Sequence, residues 1–146
     1  MKRVDPNDES TFKTCVIRSA LRLLTIPKRL IARELDTNQC CHEDAFAIKL
    51  ALEEALSNAV KHGNQGDSSK KVMIRWAITA DRVVIIVRDE GPGFEPTQVP
   101  DPTSPDRLPV PNGRGIMLMR AYMDEVRYRD HGKEVYFAKC CRNKKS

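Results

Sequence analysis

Seven of the nine prolines in this 146-residue chain fall between Pro92 and Pro111. Proline has no backbone N–H for a helix or a sheet ladder, and its ring fixes φ, so this stretch can be neither a helix nor a central strand. It must be a long loop, and it divides the patterned part of the sequence in two. Loops of this length inside a compact domain are lids or linkers. Here glycine motifs flank the loop on both sides, Asp89-Glu90-Gly91-Pro92-Gly93 before it and Asn112-Gly113-Arg114-Gly115 after it.

On the N-terminal side, residues 1–10 are polar, contain Pro6 and read as a mobile tail. The β-branched and aromatic content from Thr11 to Ile17 predicts a strand, and the stretch from there to about Asp36 reads as helix interrupted at Pro27. A long helix is expected from about Glu43 to Lys61, closed by Gly63. Two strands follow: Lys71 to Thr79, with Val72, Ile74, Trp76 and Ile78 alternating, and Arg82 to Arg88, with a continuous Val83–Val87 run. The Ala80-Asp81 link makes them a hairpin. Beyond the loop the pattern predicts a helix from Gly115 to Tyr122 and strands at Glu125–Arg129 and Glu134–Cys140 around a turn at His131-Gly132. The expected architecture is a two-layer α/β (α+β) sandwich, a mixed, mostly antiparallel sheet with helices on one face. It forms a single domain over residues 11–141, with a lid at about 95–112 and a basic tail at 142–146.

Composition narrows the function. The chain is 40% apolar and 31% charged, enough for one core. Its net charge of +5 comes from 25 Lys and Arg against 20 Asp and Glu. That excess favours an anionic nucleotide or an acidic partner, but it is not the dense basic stripe of a DNA-binding surface, and aromatics for stacking bases are few. No apolar run approaches the ~20 residues of a membrane span. The opening Met1-Lys2-Arg3-Val4-Asp5-Pro6 has no apolar signal core, so a cytoplasmic protein without membrane or nucleic-acid partners is expected. Five cysteines, Cys15, Cys40, Cys41, Cys140 and Cys141, form an odd set with two adjacent pairs. They read as reduced structural thiols, a metal site being conceivable only where residues 40–41 and 140–141 meet in space.

Three groups of residues carry candidate chemistry. On the long helix, Ala45, Ile48, Leu52, Ala55, Leu56 and Ala59 form an apolar stripe for the sheet. Glu54 and Asn58 fall outside it, four residues apart on one face that Ala47 and Ala51 share. A glutamate and an asparagine so placed suit a general base and an oxygen ligand for Mg²⁺, although Glu-x-x-x-Asn alone reads better as a solvated helix flank. Asp89, where the Val-rich strand stops, can accept a hydrogen bond from the exocyclic amine of adenine, and Gly91 and Gly93 let a flat base approach the backbone. The same residues alone make an ordinary turn. Gly113-Arg114-Gly115 opens into a helix whose first N–H groups can face phosphate oxygens.

What raises the three together is their order along the chain. Glu54-Ala55-Leu56-Ser57-Asn58-Ala59-Val60-Lys61-His62-Gly63 resembles the N-box of the GHKL ATPases, Asp89-x-Gly91-x-Gly93 their first glycine box, and Gly113-Arg114-Gly115 their second. The short single-domain form with Asn-Ala-x-x-His-Gly is similar to the anti-sigma-factor serine/threonine kinases of bacteria. No dimerisation helix pair bearing a phosphoacceptor histidine accompanies it, as a complete sensor histidine kinase would need.

The resemblance implies Asn58 as the Mg²⁺ ligand, Glu54 as the catalytic base toward the acceptor hydroxyl, and Asp89 as the adenine contact. Gly91, Gly93, Gly113 and Gly115 would shape an ATP pocket. By its chemistry Arg114 suits a positive contact to the phosphates and, at least as well, a solvated surface position, and His62 at the helix end reads as a capping or packing residue. The resemblance also implies an anti-sigma antagonist protein as phosphoacceptor, a sigma factor as sequestered partner, and a homodimer. One departure stands out: where the family has Gly-Thr at the start of the last strand, this chain has Gly132-Lys133, and a lysine cannot accept a hydrogen bond. The alternatives are a non-catalytic partner-binding module on the same fold and a stand-alone ATPase driving its lid, with nucleic-acid binding last.

Overall fold

The computed structural model describes residues 12–92 and 120–142. The segment between them, which holds Gly93, Gly113, Arg114, Gly115 and the expected lid, lies outside the described residues, as does the start of the expected helix at Gly115; residues 120–122 are helical.

The alternating apolar residues form strands at the expected places. They are β1 (Lys13–Arg18), β2 (Lys71–Ile78), β3 (Arg82–Arg88), β4 (Glu125–Arg129) and β5 (Glu134–Cys140). The spatial order is β1-β2-β3-β5-β4, and all four pairings are antiparallel, so the described sheet has no parallel pair. The β4–β5 turn runs through Asp130, His131 and Gly132, all at positive φ.

Helix α1 (Thr25–Thr37) follows a 3₁₀ turn at Leu21–Leu24. Pro27 does not interrupt it, contrary to the sequence expectation. The proline sits in the first turn, where a backbone N–H has no intrahelical acceptor to lose, so its missing donor costs nothing. Helix α2 (His42–Asn58) has Glu43 and Asp44 in its first turn, where carboxylates complement the helix dipole, and it passes directly into a π-helical turn at Ala59–Gly63.

Both helices cover one face of the sheet. Ile48, Leu52 and Leu56 of α2 and Ile31 and Leu35 of α1 share a core with Val72 and Ile74 of β2, Val83, Ile85 and Val87 of β3, and Phe137 of β5. Trp76 joins this core and donates its indole N–H to Glu34 of α1 at 2.6 Å, which satisfies the one polar atom of the ring. Ala47 and Ala51, read as sharing a face with Glu54 and Asn58, are buried in that core; the apolar stripe of α2 is wider than the sequence reading drew it. Val84, Ile86, Tyr136 and Ala138 make a second, smaller cluster on the opposite face.

The cysteine expectation is overturned. Cys40, between the helices, is bonded to Cys141, just past β5; their Cα atoms are 5.8 Å apart, inside the bridging range. The two cysteine pairs do meet, but no group of three potential metal ligands exists among the described residues. Cys15, Cys41 and Cys140 are unbridged. Arg142, expected to open a loose tail, is fixed beside the bond by Asp44, which accepts its backbone N–H at 2.8 Å and its guanidinium at 3.0 Å from two nitrogens. The guanidinium holds the Asp44 carboxyl well below the usual carboxylate range.

The packing makes a direct prediction. Leu52→Ala empties a fully enclosed site and should cost about 3 kcal/mol in denaturant unfolding, whereas Phe46→Ala, at a ring 67% exposed, should change stability by less than about 0.5 kcal/mol. Equal losses from the two would contradict the assignment of the core.

Candidate functional site

The end of β3 delivers Asp89. Its N–H donates to the carbonyl of Lys133 at 2.9 Å, so the ladder with β5 continues one residue beyond the strand and fixes the backbone there. The side chain turns into the protein and is only 8% exposed. Burial raises its pKa above the ordinary aspartate value; the Gly91 N–H, which donates to Oδ1 at 2.8 Å, and the positive charges of Arg88 and Lys133 oppose that rise.

What Asp89 faces is set by α2. A π turn bonds the N–H of residue i+5 to the carbonyl of residue i, and Asn64 N–H reaches Ala59 O at 2.8 Å in this way. The widened turn swings Gly63 against the end of β3. A Cβ on Gly63 would lie 2.2 Å from Asp89 Oδ2, and one on Gly91 would lie 1.6 Å from the Gly63 carbonyl oxygen. Neither distance is possible for a real side chain. Both positions must be glycine for the helix end and the strand end to meet, a cradle that any Cβ would fill.

Asn64 locks the seam. It is fully buried, accepts the Glu90 N–H at 2.8 Å through Oδ1, and donates Nδ2 to the Lys71 carbonyl at 3.0 Å. One side chain thus ties the π turn to the residue after Asp89 and to the start of β2. Sequence reasoning did not single out Asn64. In the run His62-Gly63-Asn64 it reads as a turn asparagine, and its partner at Glu90 is 26 residues away.

Of the residues singled out, the structure brings Gly63, Asp89 and Gly91 into contact. Asn58 is the last residue of α2 and precedes the π turn directly; Glu54 lies one helical turn earlier, and both are partly exposed. His62 lies within the π turn, partly exposed. Gly93, Gly113, Arg114 and Gly115 lie outside the described residues. The arrangement therefore sets a buried carboxylate, Asp89, against two glycines and offers a carboxylate and an amide oxygen, Glu54 and Asn58, on the adjoining helix.

A family model described as a histidine kinase-like ATPase domain matches residues 18–139. The chain belongs to the histidine kinase-like ATPase family. Among relatives, the serine-protein kinase RsbW of Bacillus subtilis is 37% identical over 97 residues, covering 62% of this chain and 60% of that protein. RsbW of Bacillus licheniformis is 36% identical over 106 residues, 67% and 66% respectively. An anti-sigma F factor of Clostridium perfringens is 34% identical over 103 residues, 66% of this chain and 73% of that one. The matches thus span just under two thirds of the RsbW proteins. A crystal structure of the RsbU and RsbW domains of a Mycobacterium tuberculosis protein shares the fold, with a TM-score of 0.61 at 17% identity over 90% of this chain and 32% of that one. The seam between α2 and β3 joins the two stretches, ending at Gly63 and beginning at Asp89, that the sequence reading likened to an N-box and a first glycine box.

Gly91→Ala should force the seam apart and cost about 2 kcal/mol. Gly66→Ala is the control: its φ of +75° strains any side chain, but nothing lies within 4 Å of the added carbon, so about 1 kcal/mol is expected. Thermal unfolding of the two variants checks this, and a Gly91→Ala protein as stable as wild type would contradict the collision.

Proposed function

We propose that the chain is an ATP-dependent serine/threonine kinase of the anti-sigma type, transferring the γ-phosphoryl group of ATP to a hydroxyl on a small anti-sigma antagonist protein. It also binds and sequesters a sigma factor, and it works as a homodimer in the cytoplasm. The observation that carries the reading is the close packing of Gly63, Asp89 and Gly91, which holds a buried carboxylate where the end of α2 meets the end of β3. Support comes from the relatives' names, serine-protein kinase and anti-sigma F factor. Consistent with it, no helix among the described residues is long and apolar enough to cross a membrane.

In this reading Asp89 accepts the exocyclic amine of adenine, while Gly91 and Gly93 admit the plane of the base. Asn58 supplies an amide oxygen to Mg²⁺, a hard cation that keeps most of its shell from water and phosphate, so one protein oxygen beside the phosphates fits it. Bound there, Mg²⁺ neutralises charge on the phosphates. Gly113 and Gly115 give room at the phosphates, Arg114 adds a positive contact, and residues 95–112 cover the nucleotide. Glu54 orients the acceptor hydroxyl and takes its proton as the new O–P bond forms and the bond from the γ-phosphorus to ADP breaks. Little else is asked of the protein beyond alignment and electrostatics.

A second reading, a partner-binding module without phosphoryl transfer, draws on Lys133. Its backbone carbonyl holds Asp89, and its charge is among those acting on the Asp89 carboxyl, at the position where the family pattern has threonine. A lysine there donates where the threonine would accept, so purine selection at this seam differs from the family pattern.

One pair of variants separates the roles. In an assay of γ-phosphate transfer to a panel of anti-sigma antagonist proteins, Glu54→Ala should lower the rate by roughly 10²-fold or more while ATP affinity stays within about twofold. Asp89→Asn should instead weaken ATP binding by about tenfold. Unchanged transfer in the first variant would remove Glu54 from the mechanism, and unchanged affinity in the second would remove the adenine assignment.

A further inference from the structure

The bond between Cys40 and Cys141 joins residues 101 positions apart, and both cysteines are nearly buried, 2% and 6% exposed. Around it stands a set of contacts that do not need the bond. Cys41 N–H donates to the Arg142 carbonyl at 2.8 Å, and Cys141 N–H donates to the Asp81 carbonyl at 2.9 Å. The Asp44 carboxylate holds Arg142 through three hydrogen bonds of 2.8 to 3.0 Å. These interactions fix the end of β5 against the start of α2 whether or not the sulfurs are joined. Two more thiols, the exposed Cys140 and the half-buried Cys41, flank the pair and are unbridged.

From this placement we infer that Cys40 and Cys141 are a reversible thiol–disulfide site, oxidised by a low-molecular-weight disulfide such as oxidised glutathione. The surrounding hydrogen bonds hold the two reduced thiols near bonding distance, so closing the bond needs little rearrangement. Chemically, the Cys141 thiolate attacks one sulfur of the small disulfide while the Asp44–Arg142 contacts are transiently open, and one small thiol leaves; as those contacts re-form they return Cys141 to Cys40. The Cys40 thiolate then attacks the Cys141 sulfur of the mixed disulfide and expels the second small thiol. Two protein thiols lose two electrons and two protons, and one small disulfide becomes two small thiols.

The bond closes a very long loop, so its main effect is to restrict the unfolded chain. Its distance from the kinase residues is large: Glu54 lies twelve residues along α2 from His42, roughly 18 Å at the rise of an α-helix. Oxidation therefore sets how long the domain stays folded and leaves nucleotide affinity as it was. The inference stands independently of the kinase reading, because its readouts are thiol counts and unfolding temperature.

The test equilibrates the full chain in glutathione buffers spanning reducing to oxidising ratios. Free thiols are counted by alkylation and mass spectrometry, and the unfolding temperature is measured in each buffer. Five alkylated thiols should fall to three, and the unfolding temperature should rise by on the order of 10 °C in the same step. Cys40→Ser and Cys141→Ser should each abolish the rise, whereas a Cys15→Ser, Cys41→Ser, Cys140→Ser triple variant should keep it. Five free thiols at every ratio would overturn the inference, as would a bridge mapped to Cys41 or Cys140, or oxidation without a change in unfolding temperature.

Discussion

The close approach of Gly63 to Asp89 and Gly91 is the constraint on which the site depends. Two backbones that belong to different layers, the end of α2 and the end of β3, come so near that no Cβ fits between them. Everything around that seam serves it. The π turn supplies the extra residue that moves Gly63 off the helical path, and buried Asn64 joins the turn to both neighbouring strands. The Lys133 carbonyl holds the Asp89 backbone from the β5 side. A carboxylate buried in such a seam loses hydration, which is why its pKa rises. The protein tolerates this cost at a position whose partner, in the proposed function, is a nucleotide base.

Much of the fold was legible because its periodicities are strong. Strand β3, with its uninterrupted Val and Ile run, and strands β4 and β5, set around the turn at His131-Gly132, fall where the sequence pattern put them. The helix ending at Gly63 was also legible, but its last turn was not. Nothing in Ala59-Val60-Lys61-His62-Gly63 marks a π turn, which arises from the need to meet β3 and hence from tertiary structure. Pro27 was misread for a related reason: its effect depends on which turn of the helix it occupies. Ala47 and Ala51 fall outside the stripe drawn from the other apolar residues, yet small residues on a helix serve where it lies close to its neighbours, and here they are buried.

The cysteines show the limit of local reading most clearly. An odd count with two adjacent pairs reads locally as reduced thiols, but the pairing of Cys40 with Cys141 is decided by sheet topology. Strand β5 occupies an inner position between β3 and β4, so its end is carried back to the loop between α1 and α2. Asp44 and Arg142, 98 residues apart, meet there for the same reason. Sequence order singled out Glu54, Asn58, Asp89 and Gly91, and of these the structure packs Asp89 and Gly91 against Gly63. Asn64 was missed because its role lies in contacts with residues distant in sequence.

The account's central claim is that the seam between α2 and β3 is a nucleotide site. Calorimetric titration of the wild-type protein with ATP, with and without Mg²⁺, tests it most directly. The account predicts saturable binding of one ATP per chain that tightens when Mg²⁺ is present. No binding in either condition would contradict it and would leave a partner-binding module on the same fold.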